Sequence, residues 1–354
     1  MNNICLRTSF LTTAVLAAGT SSAAEYVAKI YAVPGGFEAM FAVGGGDNGM
    51  MSGWAITGAQ DLAMYRTNGG FRLMHPGGWD SSRITDSWGS TYHCGFGKVG
   101  AADPTHALFW IGGGTPVDIH PTSNAGYQSS QALGGGGQLQ AGYVDGSFNC
   151  NECGFVATRH AGMWSRTSSS FSRLHAPAHE LTEATSTDGV RQVGSGVNRT
   201  TMQVEALLWS GPNSIAVNLN PPGATESVLT SVWGNSQGGY FQGPMTGGRR
   251  HAATWAGGPN VVDLNPNFYF LSSQVNAVRA GLQVGRGNAV TTPARYQAIG
   301  WANSDLSWIN LHARLPYPFT LWNSSAEGID NLGNITGYVD NGAGDVRPVI
   351  WVRQ

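Results

Sequence analysis

His251-Ala252-Ala253-Thr254-Trp255, followed by Val262-Asp263-Leu264-Asn265-Pro266, is a phrase that this chain repeats. A polar residue, small apolar residues and a tryptophan recur as His106-Ala107-Leu108-Phe109-Trp110, His160-Ala161-Gly162-Met163-Trp164, Glu205-Ala206-Leu207-Leu208-Trp209 and Gln297-Ala298-Ile299-Gly300-Trp301. Weaker copies run from Asp61 to Tyr65 and from Arg347 to Trp351. The ring anchors at 65, 110, 164, 209, 255, 301 and 351 are spaced 45, 54, 45, 46, 46 and 50 residues apart. Between them lie short alternating segments cut by glycine and proline, which read as strands and turns. Seven copies of such a unit predict an all-β chain: a seven-bladed β-propeller with blades of four antiparallel strands.

Within one unit the order of parts is a small-residue strand such as Ser273 to Val278, then Gly281 to Gly285, then the tryptophan strand, then an apolar strand ending at a proline. The last is Val117-Asp118-Ile119-His120-Pro121 in the second unit and Val217-Asn218-Leu219-Asn220-Pro221 in the fourth. Small residues such as Ala132, Gly134, Ala184, Ser186 and Ala277 suit strands crowded at the axis, and tryptophans fill the wedges between blades. Gly53, Gly95, Gly142, Gly194, Gly239, Gly285 and Gly337 are expected to allow close backbone approach at a turn. The last unit lacks a fourth strand, and Tyr26 to Val33 is an orphan strand before Pro34. Its segment Ile30-Tyr31-Ala32-Val33-Pro34 fits the fourth-strand phrase, so it should complete the last blade and leave no long open edge. The expected blades are 36–76, 77–121, 122–176, 177–221, 222–266, 267–313 and 314–354 with 25–34.

Residues 1–24 read as a secretory signal. Arg7 is the only charge, Phe10 to Ala18 is apolar, and small residues follow at Ser21-Ser22-Ala23-Ala24. The run is short of the roughly 18 apolar residues that a membrane span needs. The expectation is one soluble domain, residues 25–354, extracellular or periplasmic and monomeric. Losing Arg7 would leave 18 basic against 21 acidic residues, a balance that argues against a nucleic-acid partner. Cys5 would leave with the signal, and Cys94, Cys150 and Cys153 remain. Export favours a local Cys150–Cys153 disulfide, with metal binding or redox chemistry as the alternatives.

The unit resembles the HAF-type extracellular repeat of exported bacterial proteins. Gly189-Val190-Arg191-Gln192-Val193-Gly194 with Glu205 to Trp209 carries the likeness, as do Gly281 to Gly285 with Gln297 to Trp301, and Val262-Asp263-Leu264. The resemblance implies an exported, propeller-like protein and brings no catalytic residue with it. The tail here reads Asn-Pro or His-Pro where that family has Leu-Gly.

Candidate functional residues are those that line up in a ring or break the repeat. His106, His160 and His251 share one position with Glu205, Gln297, Asp61 and Arg347, so they read as a polar bracket inside a blade. His75, His120, His175 and His312, with Asn220 and Asn265, form a second set at the end of the fourth strand. They either line a shallow ligand cleft or cap the turn before proline. Three features break the repeat: the 147–153 insertion; His93-Cys94 beside Trp79, Trp88 and Tyr92; and Arg249-Arg250-His251 with His179-Glu180. His179, Arg250 and His93 are the candidates for catalysis, as cation and base. No nucleophile elbow, phosphate loop, zinc helix or EF-hand loop is present, and no cofactor or metal is expected. The leading expectation is a secreted, non-catalytic scaffold that binds an extracellular polysaccharide or protein. The rival is a secreted polysaccharide lyase or hydrolase with its site at the propeller mouth.

Overall fold

The computed structural model describes residues 25–122, 126–150 and 154–354. The expected signal, residues 1–24, lies outside them, as do the side chains of the Cys150–Cys153 disulfide. Strand β1 (Tyr26–Ile30) opens the described chain. A first antiparallel set follows: β2 (Ala39–Gly46), β3 (Met50–Thr57), β4 (Gln60–Thr67) and β5 (Gly70–Leu73). The second set is β6 (Ser81–Trp88), β7 (Tyr92–Lys98), β8 (His106–Ile111) and β9 (Val117–Asp118), and the third is β10 (Tyr127–Gly136), β11 (Leu139–Cys150), β12 (Gly154–Trp164) and β13 (Ser172–Arg173). The fourth is β14 (His179–Thr187), β15 (Gln192–Asn198), β16 (Val204–Trp209) and β17 (Val217–Asn218). The fifth, β18 (Glu226–Trp233), β19 (Ser236–Gln242), β20 (His251–Trp255) and β21 (Val261–Asp263), is joined to the fourth by one parallel bridge, Val204 to Glu226. A sixth set is β22 (Phe270–Arg279), β23 (Leu282–Ala289), β24 (Tyr296–Trp301) and β25 (Trp308–Asn310). Last come β26 (Asn323–Ile329), β27 (Ile335–Asp340) and β28 (Val346–Arg353), with β1 added along β28. The fold is all-β and propeller-like, and no helix among the described residues is long and apolar enough to cross a membrane.

The strand β1 takes the fourth place in the last sheet, one residue out of the expected register. Tyr31 N–H donates to Pro348 O at 3.0 Å, as Ile119 N–H does to Ala107 O at 2.9 Å. Residues 29–33, not 30–34, therefore occupy the place of Val117–Pro121. The reason is burial. The observed register turns Tyr26, Ala28 and Ile30 into the core and leaves Val27 and Lys29 exposed. A slip by one would turn Lys29 inward.

Three devices repeat around the molecule. Each of the seven first strands carries a β-bulge, at Val43, Thr85, Leu133, Thr185, Thr230, Asn276 and Glu327. The repeated glycine on the neighbouring strand, Gly53 to Gly337, sits against that bulge, where any Cβ would collide with a first-strand carbonyl oxygen. The close approach is thus at mid-strand bulges and not at turns.

In the second device an indole reaches from one set to the preceding one. The Nε1–H groups of Trp110, Trp209, Trp255 and Trp351 donate to the carbonyls of Met74, His175, Leu219 and Leu311 at 2.9–3.0 Å. Trp164 and Trp301 are buried alike, without an acceptor for Nε1 among the described residues.

The third device is a hydroxyl relay between sets. Ser82, Ser130, Ser227, Ser273 and Ser324 accept the N–H of Ala63, Ala107, Ala206, Ala252 and Ala298 at 2.9–3.1 Å. Thr182 does the same for Ala161 at 3.0 Å.

Candidate functional site

All seven first strands line one cavity of about 320 Å3, running from the bulges to the hairpins Gly89, Gly137 and Asp188. Its threonine hydroxyls are already engaged. Thr85, Thr185 and Thr230 donate to the carbonyls of Ala132, Leu229 and Val275, on the first strand of the next set, at 2.7–2.8 Å. Asp86 accepts the N–H of Gly135 at 2.9 Å and of Ser87 at 2.7 Å. Burial nevertheless pushes its carboxyl up to about 6. Asp188 accepts the N–H groups of Val190, Arg191 and Gly234. Glu327 accepts the Ser325 hydroxyl, and burial pushes its carboxyl up to about 7. Arg279 lies 4.5 Å from the Trp233 ring and 3.5 Å from Asp47. These bonds tie neighbouring first strands together, so most of the cavity's polar groups serve the structure.

A second hollow opens at the other end of the strands, between the fifth and sixth sets. Two adjoining clefts of about 490 and 350 Å3 share Arg250, Ser272 and Asn288. Arg249 and Gln242 line one, and Arg286, Gln274 and Tyr296 line the other. No carboxylate lines either. Arg250 is bound to Glu226 at 2.9 Å over the Tyr240 ring at 4.6 Å, and Tyr240 itself donates to Glu226 at 2.8 Å. The Tyr296 hydroxyl donates to Asp340. Burial, first, and this carboxylate raise its pKa far above the ordinary phenol value.

Arginine over an aromatic ring is a local rule here. Arg83 lies 4.7 Å from the Trp54 ring and is bound to Asp61 at 2.8 Å. Arg159 lies 3.7 Å from the Tyr143 ring, bound to Asp145 at 2.9 Å and Glu183 at 3.0 Å. Arg286 lies 4.9 Å from the Tyr296 ring, but no carboxylate comes within ion-pair distance among the described residues, and the same is true of exposed Arg249. Sequence reasoning found Arg250 and missed Arg286. The signal was available. The residue after the repeated glycine is Trp54, Phe96, Tyr143, Tyr240 and Tyr338 elsewhere, and Ser195 once; only the sixth unit places a cation there.

The three catalytic candidates sit on three different sets, each with its own partners. His93 is fully buried, 2.6 Å from Ser87 Oγ through Nδ1 and 5.3 Å from the Tyr65 ring, and burial lowers its pKa to about 4. Four other units have a buried glutamine at this position. Gln140, Gln192, Gln237 and Gln283 each accept a backbone N–H from the turn after the third strand at 2.7–3.0 Å. His179 Nε2 lies 2.8 Å from Glu205 in a buried pair. Neighbouring Cys94 is buried beside Thr85, and burial pushes its thiol well up. Trp88 and Tyr92 pack on Phe109 in the core.

The second histidine set is distributed, one residue per set, and its members meet the serine relay. His75, His120 and His312 lie 2.7–2.9 Å from Ser82, Ser130 and Ser324 through Nδ1. Asn220 and Asn265 accept the hydroxyls of Ser227 and Ser273 at 2.6 Å. His75 Nε2 donates to Trp79 O and His312 Nε2 to Thr320 O, which fixes the tautomer with Nδ1 as acceptor. His175 contributes its carbonyl to Trp209 and to Ala216 N–H. The six residues do not converge on one pocket. The first set is a bracket as expected. His106 meets Asp118 at 2.8 Å, His251 meets Asp263 at 2.7 Å, and Glu205 meets Asn218 at 2.6 Å, so partner and residue change together. Among the described residues no three His, Cys, Asp or Glu side chains form a metal-binding group.

No family model matches this chain, and no curated protein matches it. Solved structures do. A puromycin-hydrolyzing peptidase of Mycobacterium tuberculosis is 12% identical with a TM-score of 0.55, covering 88% of this chain and 53% of its own. Prolyl oligopeptidase B of Galerina marginata is 10% identical with a TM-score of 0.52, covering 90% and 48%. This chain therefore spans about half the length of these proteins. The likeness is one of fold.

Proposed function

We propose that this chain is an exported, seven-bladed β-propeller of the HAF-repeat type that binds an extracellular glycan or protein without turning it over. Residues 25–354 would be its single domain and 1–24 its cleaved signal. The seven bulged strands around one cavity, and the β1–β28 pairing, favour a closed ring. One observation carries the binding reading: two adjoining open clefts with no lining carboxylate, where Arg250 is held by Glu226 but Arg249 and Arg286 have no ion-pair partner among the described residues. Cations held ready without a protein partner suit recognition. The rival, a polysaccharide-degrading enzyme at this mouth, needs a poised base beside a cation. Tyr296 is held protonated, and His251 is bonded to Asp263, which weakens that reading. Glycan-array binding followed by reducing-end and unsaturated-product assays separates the two. Binding without product supports the scaffold. Product formation lost in Arg250→Gln supports the enzyme.

A further inference from the structure

We infer that the Arg249–Arg286 cleft takes a carboxylated polysaccharide, a uronate-bearing chain, whose carboxylates complete the ion pairs that the protein leaves open. The inference rests on the binding reading above and names the ligand class of that site. At five places an arginine packs on a ring and meets the protein's own acid: Arg83 with Asp61, Arg159 with Asp145 and Glu183, Arg250 with Glu226, Arg279 with Asp47 and Arg347 with Asp345. At Arg286, as at Arg66 over Tyr31 and Arg166 over Tyr92, the ring is present and no acid stands within ion-pair distance among the described residues, and of these three it is Arg286 that lines the cleft. The acids around it have other partners: Asp340 accepts the Tyr296 hydroxyl, Glu226 is bound to Arg250 and Tyr240, and Glu327, which feels the Arg286 charge from beyond ion-pair distance, accepts the Ser325 hydroxyl.

A guanidinium recognises carboxylate through two parallel N–H bonds, and a chain of net charge −2 that keeps such groups uncovered selects an anionic partner. Beside Leu271, Pro293 and the Tyr296 ring, the lining carries hydroxyls and amides from Ser272, Gln242, Gln274 and Asn288, which suit sugar hydroxyls. Two adjoining open hollows suit successive residues of a polymer.

The test is titration of the full chain with polygalacturonate, dextran sulfate, neutral dextran and poly-glutamate, at low and high salt. Polygalacturonate should bind most tightly, weaken with salt, and lose about tenfold in affinity with Arg249→Gln or Arg286→Gln, the scale of one charge-assisted contact. Arg72→Gln, an exposed charge on the first set, should change nothing. Arg249 is fully on the surface, so its variant remains informative if Arg286→Gln fails to fold. Tighter binding of dextran sulfate or poly-glutamate overturns the uronate assignment, and so does equal loss with Arg72→Gln. A neutral glycan or a protein bound with both variants unaffected overturns this inference and leaves the scaffold reading standing. Absence of any ligand overturns both.

Discussion

At Gly239 a single hydrogen decides whether the fifth set can form, because a Cβ there would collide with the Val228 carbonyl across the bulge. Gly239→Ala should cost about 3 kcal/mol in thermal or urea unfolding, the upper end of the range for a forced backbone shift. Gly258→Ala, at a site with open space and an ordinary backbone angle, should be near neutral; equal effects would show that the bulge is not the cause. Protonation is the other residue-scale lever. Burial holds His93 and His160 at about 4, and lowers His120 and His312 as well. The native chain then binds fewer protons than the unfolded one below about pH 6.5. Stability from these imidazoles is complete above that pH and is lost as pH falls toward 4. Asp86 and Glu327 have raised values, so their burial penalty is present at neutral pH and is relieved on acidification, opposing the histidines. His93→Gln, the residue found at this position in other units, isolates one contribution. Relative to the parent it should gain about 2 kcal/mol in urea unfolding between pH 7 and pH 5. A difference that does not change with pH would exclude His93 as a contributor. The glycines and the histidine brackets were legible as repeats. The direction of each side chain was not, since one repeated position serves equally for a ligand or for the neighbouring strand.

Elements are held to one another by polar bonds at repeated places, not by apolar packing alone. Ser273→Ala removes the acceptor of Ala252 N–H and the partner of Asn265 in a buried site. The expected loss is about 1–3 kcal/mol, the cost of orphaned buried groups. A loss below about 0.5 kcal/mol, the level of a surface substitution, would show that the relay is dispensable. The tryptophans allow a paired comparison. Trp209→Phe should cost about 1 kcal/mol more than Trp301→Phe, because only the Trp209 indole has an acceptor to lose, the His175 carbonyl. Equal costs would assign the ring's role to volume alone. Strand order and the proline-ended fourth strand were readable from punctuation. The histidine and asparagine set was read as a possible cleft because an alignment shows position and spacing but no facing partner. The structure supplies that partner as a serine about ten residues onward, on the first strand of the next set.

Among the described residues, the strand pairing most distant in sequence is that of Tyr26–Ile30 with Val349–Arg353. Deleting residues 25–34 exposes β28 as an unpaired edge and uncovers the core around Trp351 and Val349. Unfolding should become broad and shift to much lower temperature by calorimetry, with concentration-dependent association through the open edge. An unchanged, sharp transition would remove the strand from the account of closure. The repeating four-strand antiparallel grammar and the segment that pairs with the last strand were available from periodicity and punctuation, because strands, turns and apolar faces obey local rules. The one-residue register of that segment, the engagement of the imidazoles by serines, and the arginines left without acids were not. Each depends on which residues, dozens to hundreds of positions apart, are brought within about 3 Å by packing, and neither spacing nor composition encodes that distance.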